Sequence, residues 1–583
     1  MKNAMIRWTL LIFMACQCSA QSIDHVIFVI KENRTMDEMF GTFPGVQNYC
    51  QGGNSPKRCT NNQSTSCTKI GTHDVCGQGG WCQPLQCTTP NGPECSAGDS
   101  CPQITTGKLT SGTVNLQLQD PTLNCQDPSH VQSAFISELD KGLMAWPTTC
   151  NKTQTTPACG SLCLTYFTST QIPYYYQLAS TYGLADNHFS MMGGPSLPNH
   201  AYLFAASSGE WNGALTTAIG SSTDPGTHGG FTSSWTCGAK HNGSLTPYTY
   251  LRTMGSTQAS TGTDYYGGVC TNHQTTACTC VCKTGAKCSN TFNPAAGGKA
   301  CTTDPGCTAL GDTCSTQYSI GGTPGAPCLA LTTIADQIEA VLGTDPTSWG
   351  YYSHNTGWNA AAYFQDIYFN PTRWANHVYQ DTAFDTAVGN CSGMCSNSHP
   401  TSCTLDSQCG GTNTCIDSVG FDNGGPLGST ACTLPKIAYV SPTLGGNSDH
   451  AGQGTMSNGE AWTQARLANY FSNPYVYAHS IVLLTWDDWG GYYDHVPPPV
   501  QDDVPTLGFR VPLICIGPYC KNKVTHTQFE FASELKCIEN IFGLSPINSR
   551  DAGAIDACAR TGTLASNTDG MVDTTQTRIP PIK

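Results

Sequence analysis

Two adjacent carboxylates, Asp487 and Asp488, follow Trp486 at the end of the apolar run Ser480-Ile-Val-Leu-Leu-Thr485. That run is short and rich in aliphatic residues, so it reads as a buried strand. Gly490, Gly491, Asp494 and His495 come next, then three prolines that forbid regular structure. Neighbouring carboxylates repel, and a divalent cation is one partner that favours holding both ionised. A strand-ending turn with solvated acids is the plainer alternative. A second strand end matches the first: Asp24-His-Val-Ile-Phe-Val-Ile30 runs through Lys31 into Glu32 and Asn33. Asn33-Arg-Thr35 also scans as a glycosylation sequon, although a site so close to a buried strand would be a poor acceptor. Strand ends are where α/β enzymes place catalytic groups.

A hydroxyl joins these groups as a third candidate. Ser196 lies in Met192-Gly-Gly-Pro-Ser-Leu-Pro-Asn-His200, and the following Ala201-Tyr-Leu-Phe-Ala-Ala206 reads as the start of a helix. A hydroxyl at a helix N-terminus meets backbone N–H groups and the positive dipole end, which suits an anion such as phosphate. An ordinary serine N-cap is the alternative. No glycine stands two positions after Ser196, so the GxSxG elbow is absent and a Ser–His–Asp esterase is disfavoured. Three histidines sit near acids: His130 in Asp127-Pro-Ser-His130, His450 in Asn447-Ser-Asp-His450, and His495.

Further patterned segments must position these residues. Ile172-Pro-Tyr-Tyr-Tyr-Gln-Leu-Ala179 reads as a helix with proline in its first turn. Thr333-Ile-Ala-Asp-Gln-Ile-Glu-Ala340 has apolar residues four apart, and Phe531–Phe542 is an amphipathic helix ended by Gly543. Phe509-Arg-Val-Pro-Leu-Ile-Cys-Ile516 reads as a strand. Alternating strands and helices predict an α/β core with a mainly parallel central sheet.

The first twenty residues read as a secretory signal. Lys2 and Arg7 precede the apolar run from Trp8 to Ala15, and Cys18-Ser-Ala20 offers small residues for cleavage. The run is too short to span a membrane and no other stretch is long enough, so the predicted location is secreted or periplasmic. Cys16 sits where a lipoprotein anchor would need it, but Phe-Met-Ala before it fits poorly. Of the 34 cysteines an even number remains once Cys16 and Cys18 leave, and disulfides are the default in an exported chain. The Cys278-Thr-Cys-Val-Cys282 pattern lacks a matching second ligand pair for zinc. Segments at about 48–123, 233–328 and 389–432 are rich in Cys, Gly, Thr and Asn, and read as disulfide-stapled insertions. Cys301 to Cys307 and Cys403 to Cys409 repeat a Cys-x5-Cys knot, with Cys95 to Cys101 as a partial copy. The net charge of −14, with only 11% charged residues, argues against nucleic acid, whose phosphates require basic patches.

Taken together, His25-Val-Ile-Phe-Val-Ile-Lys-Glu-Asn-Arg-Thr-Met-Asp-Glu-Met-Phe-Gly41, Ile172-Pro-Tyr-Tyr-Tyr176, Gly194-Pro-Ser-Leu-Pro-Asn199 and Trp486-Asp-Asp-Trp-Gly-Gly-Tyr-Tyr-Asp-His-Val-Pro-Pro-Pro499 resemble the bacterial phosphoesterase family of non-haemolytic phospholipase C and respiratory-burst-inhibiting acid phosphatase. The resemblance covers the cysteine-poor segments and not the insertions. It implies one alkaline-phosphatase-like domain over 21–583, interrupted by the insertions. It further implies a divalent metal ion, of unspecified identity, on Glu32, Asn33, Asp487 and Asp488. Ser196 would be the nucleophile and also touch the metal, passing through a phosphoserine. His130, His450 and His495 would contact the phosphoryl oxygens or the leaving group, though the flanks of His130 and His450 depart from the usual pattern. The implied substrate is a phosphate-ester small molecule or a phospholipid headgroup. A different reading is a secreted binding or adhesion protein with an inactive core and functional insertions.

Overall fold

A computed structural model describes chiefly residues 23–46, 105–208, 329–395, 402–417 and 432–559, with short gaps, and 570–582. The leader, the Cys278–Cys282 pattern, the knots at Cys95 and Cys301, and almost all of the insertion at 233–328 lie outside the described residues.

A central eight-stranded sheet carries the molecule. Its strands are β1 (His25–Lys31), β2 (Leu184–Ala185), β3 (Trp349–Ser353), β4 (Val378–Tyr379), β5 (Ile437–Ser441), β6 (Ser480–Trp486), β7 (Leu513–Ile516) and β8 (Val524–Thr525). They lie in the order β4–β3–β5–β1–β6–β7–β2–β8. Every residue of β1 and β6 is buried, the pattern of parallel strands covered on both faces. The two pair in parallel register from His25 opposite Ser480 to Lys31 opposite Trp486. Glu32 and Asp487 therefore leave the sheet side by side. β5 lies parallel on the other side of β1. The mainly parallel sheet is as expected, but β7 runs antiparallel to both β6 and β2. The run at 509–516 is also a strand only from Leu513, because Pro512 has no N–H to give a ladder.

Helices flank this sheet: α1 (Met36–Phe40), α2 (Pro173–Thr181), α3 (Ser196–Ala205), α4 (Ile334–Leu342), α5 (Met456–Ser472) and α6 (Phe531–Phe542). A capping box between Thr333 and Asp336 opens α4, and Gly543 in the left-handed region closes α6. The helix expected from Ala201 begins five residues earlier, at Ser196. Pro198 falls in its first turn, where a missing N–H breaks no helical bond. Ser196 is thus the first helical residue and not the cap, which is Pro195. No helix among the described residues is long and apolar enough to cross a membrane.

The insertion at 389–432 is stapled as expected, by Cys391–Cys432, Cys395–Cys409 and Cys403–Cys415. Two more bridges, Cys125–Cys159 and Cys150–Cys163, lie in a segment read as cysteine-poor. The second joins a small separate core of Leu116, Phe135, Trp146, Trp489, Tyr493 and Phe509. That core supports the loop carrying His130 and the turn after Asp488.

Candidate active site

The site forms where β1 and β6 end. Asp487 N donates to Lys31 O at 3.0 Å and Arg34 N to Asp488 O at 2.9 Å, so the two exits are stitched together. Beyond Trp486 the backbone turns, which lets both aspartates face inward. Gly490 holds that turn with φ 61°, and a Cβ there would stand 2.6 Å from Asn33 O. Asn33 itself has φ 60°, a conformation that asparagine tolerates better than most residues. Its backbone N–H donates to Asp487 Oδ1 at 2.9 Å. Glu32, Asn33, Asp487 and Asp488 are fully buried, so the sequon cannot accept a glycan in the folded chain.

Ser196 Oγ, at the first position of α3, donates to Asp488 Oδ2 at 3.2 Å and lies 3.4 Å from Asn33 Oδ1. One turn along α3 is His200, which sequence reasoning missed. Its Nε2 lies 3.0 Å from Glu32 Oε1 and 3.7 Å from Asp487 Oδ2. The signal was available: positions four apart share a helix face. Only the misplaced helix start hid it.

Burial pushes the Glu32 carboxyl up to about 8. Burial, then the charge of Glu32, pushes Asp487 up to about 7. Burial and Asp487 raise Asp488 in the same way. Burial pulls His200 down to about 4, against the pull of Asp487. Glu32 Oε2, Asp487 Oδ2 and His200 Nδ1 are buried without a hydrogen-bond partner. Ligand atoms of Glu32, His200 and Asp487 all fall within 4.8 Å of one another. Clustered, unsatisfied carboxylate oxygens beside an imidazole form a donor set that a divalent cation fits.

His130 joins this group through Nε2, 3.3 Å from Asn33 Nδ2. Its ring stands 5.6 Å from that of His450. His130 Nδ1 donates to Pro128 O at 2.9 Å and His450 Nδ1 to Ala451 O at 2.6 Å. A carbonyl oxygen only accepts, so both Nδ1 atoms carry protons. Burial first, and then His130, pull His450 down to about 3, so its ring is neutral and Nε2 bears a lone pair. The Trp358 indole stacks on both His200 and His450. The His130 and Asp127 side chains are 14% and 37% exposed and mark the edge where the group meets solvent.

His495 lies in a different network. Its Nδ1 is 2.7 Å from Asp37 Oδ2, and Arg510 Nη2 donates to Asp37 Oδ1 at 2.8 Å. Arg510 Nε also donates to Asp494 Oδ1 at 3.0 Å. Burial would raise Asp37, but His495 and Arg510 more than offset it and hold Asp37 below the usual carboxylate range. The structure thus brings together Glu32, Asn33, Ser196, Asp487, Asp488, His130 and His450, and ties His495 to the ion pairs anchoring α1.

The Phosphoesterase family model matches residues 23–392 and 428–545 of the chain. Among curated proteins, phospholipase C A of Mycobacterium tuberculosis is 30% identical over 135 residues, 19% of this chain and 26% of that one. Hemolytic phospholipase C of Pseudomonas aeruginosa is 33% identical over 135 residues, 19% of this chain and 18% of that one. Non-specific phospholipase C1 of Arabidopsis thaliana is 32% identical over 100 residues, 12% and 19% of the two chains. The matched stretches span about a quarter or less of these relatives' own length. Among solved structures, the phosphonate monoester hydrolase SpPMH from Silicibacter pomeroyi is similar over 64% of this chain and 69% of that one. The two are 11% identical, with a TM-score of 0.20.

Proposed function

The chain belongs to the phosphoesterase family, and from that premise we propose that it is a secreted, divalent-cation-dependent hydrolase of phosphoric esters, of phospholipase C or acid phosphatase type, working through a phosphoserine at Ser196. One observation carries the reading: Ser196 Oγ stands on the first turn of α3, 3.2 Å from Asp488 Oδ2, at the ends of β1 and β6. The positive dipole end of α3 suits a phosphoryl group held there. Glu32, Asn33, Asp487 and Asp488 would hold the cation, with His200 as a further donor. Bound there, it would lower the pKa of the serine hydroxyl and supply positive charge against the phosphoryl oxygens.

In the first step Ser196 Oγ bonds to phosphorus as the bond from phosphorus to the alcohol oxygen breaks. The departing alcohol leaves with the proton the serine gives up. Asp488 Oδ2 orients the hydroxyl beforehand. In the second step water adds to phosphorus, the Oγ–phosphorus bond breaks, and Ser196 regains a proton. The Nε2 lone pair of His450, beside the His130 ring, offers an acceptor for the water proton. His495, held through Nδ1 by Asp37, steadies the turn after Asp488.

Secretion draws support from seven disulfides among the described residues, which persist in oxidising compartments. The phospholipase C relatives favour a phospholipid headgroup as substrate; an acid phosphatase would take a small monoester. An inactive core serving adhesive insertions finds no support in the site, where each of the five carried-over metal and nucleophile residues is present and assembled. Purified chain assayed across pH on p-nitrophenyl phosphate and p-nitrophenyl phosphorylcholine, with Mg2+, Mn2+, Ca2+ or Zn2+ supplied, tests the proposal. Turnover of at least one ester is expected, and none on either would overturn it.

A further inference from the structure

Side chains alternate along a strand, so Lys31 and Trp486 turn away from Glu32 and Asp487. Behind the site they meet Asp449, which is fully buried. The Asp449 carboxylate accepts from Trp486 Nε1 at 2.9 Å and from the Tyr175 hydroxyl of α2 at 3.0 Å. Lys31 Nζ lies 3.6 Å from its Oδ1 and donates to Gly459 O at 3.0 Å. The Arg34 guanidinium donates to the Asp449 backbone carbonyl. Gly459 leaves room for the carboxylate: a Cβ there would stand 1.6 Å from Asp449 Oδ1.

The partners share one property. Lys31 precedes Glu32, Arg34 follows Asn33, Trp486 precedes Asp487, and Asp449 itself precedes His450. We infer that Asp449 is a positioning residue, a single buried carboxylate that sets Glu32, Asn33, Asp487 and His450 against one another from behind. Its donors come from β1, β6 and α2, so shifting any one element strains bonds to the others. The inference rests on the proposed cation site at Glu32 and Asp487.

The test is Mn2+ binding to the purified full chain, read from the electron paramagnetic resonance of the free ion, beside kcat and KM on p-nitrophenyl phosphate. Asp449→Asn is expected to weaken Mn2+ binding and lower kcat about tenfold each, the lower end for outer-shell partners, with KM almost unmoved. Tyr175→Phe, which removes one hydroxyl, moves both in the same direction by less. Tyr470→Phe serves as the control: its buried hydroxyl donates to Ser480 O, and its loss should move neither. A folded Asp449→Asn with wild-type Mn2+ affinity and kcat overturns the inference. If Asp449→Asn does not fold, wild-type Mn2+ affinity in Tyr175→Phe overturns it. A wild-type chain that takes up no Mn2+ overturns the cation site as well, which separates the two failures.

Discussion

A single buried carboxylate and a cluster of them lie back to back where β1 and β6 end, and the fold treats the two sides in opposite ways. Behind the strands, Asp449 is satisfied by a tyrosine, a tryptophan and a nearby lysine. In front, Glu32 and Asp487 each keep a buried oxygen without a partner, and burial raises both acids. Burial is common to the two sides, so burial alone does not mark a working site. What sets the front apart is convergence: the unpartnered oxygens of Glu32 and Asp487 lie beside His200, Asp488 and the Ser196 hydroxyl. Asp449 ties elements together, and the front cluster gathers the groups proposed to meet cation and substrate.

The comparison breaks most readily at Ser196. Ser196→Ala should cut kcat by on the order of ten-thousandfold or more, as losing a nucleophile does, while the thermal midpoint stays near wild type; residual turnover and calorimetry check both. Next come two variants with opposite signs. Asp449→Asn should destabilise the metal-free chain by about 3 kcal/mol, because it leaves Lys31 without its buried counter-charge. Glu32→Gln should instead stabilise the metal-free chain near neutral pH by about 1 kcal/mol, because it replaces an acid that burial forces to take up a proton on folding, while losing Mn2+ affinity and activity. Urea unfolding of both proteins with chelator present reads these signs, and destabilisation by Glu32→Gln would erase the contrast. Tyr175→Phe should destabilise by about 1 kcal/mol, a third of the Asp449→Asn effect, for one buried hydrogen bond, read in the same titration.

The sequence made the front cluster largely legible and the rear one not at all. Asp487, Asp488, Glu32 and Asn33 announce themselves because each pair ends an apolar run. Ser196 stands out between its prolines. His200 escaped because Pro198 reads as a helix breaker, although in the first turn of α3 it breaks nothing. Asp449, Lys31 and Trp486 gave no signal, since their bonds span 37 residues or more of sequence. The sheet followed from strand and helix alternation, but the antiparallel β7 did not, because direction leaves no trace in an apolar run. Two-residue strands such as β2 and β8 carry too little pattern to read. Disulfide partners are set by tertiary proximity, as Cys125–Cys159 and Cys150–Cys163 demonstrate. His495 drew attention through nearby acids, and one of them, Asp37, holds its Nδ1.

The central claim is that Ser196 carries the phosphoryl group between substrate and water. Acid quenching of the enzyme during turnover of p-nitrophenyl phosphate, followed by peptide mass spectrometry, tests it most directly. The account predicts phosphate on the peptide containing Ser196, localised to that residue and absent from Ser196→Ala. Phosphate on another side chain, or full turnover by Ser196→Ala, would contradict it.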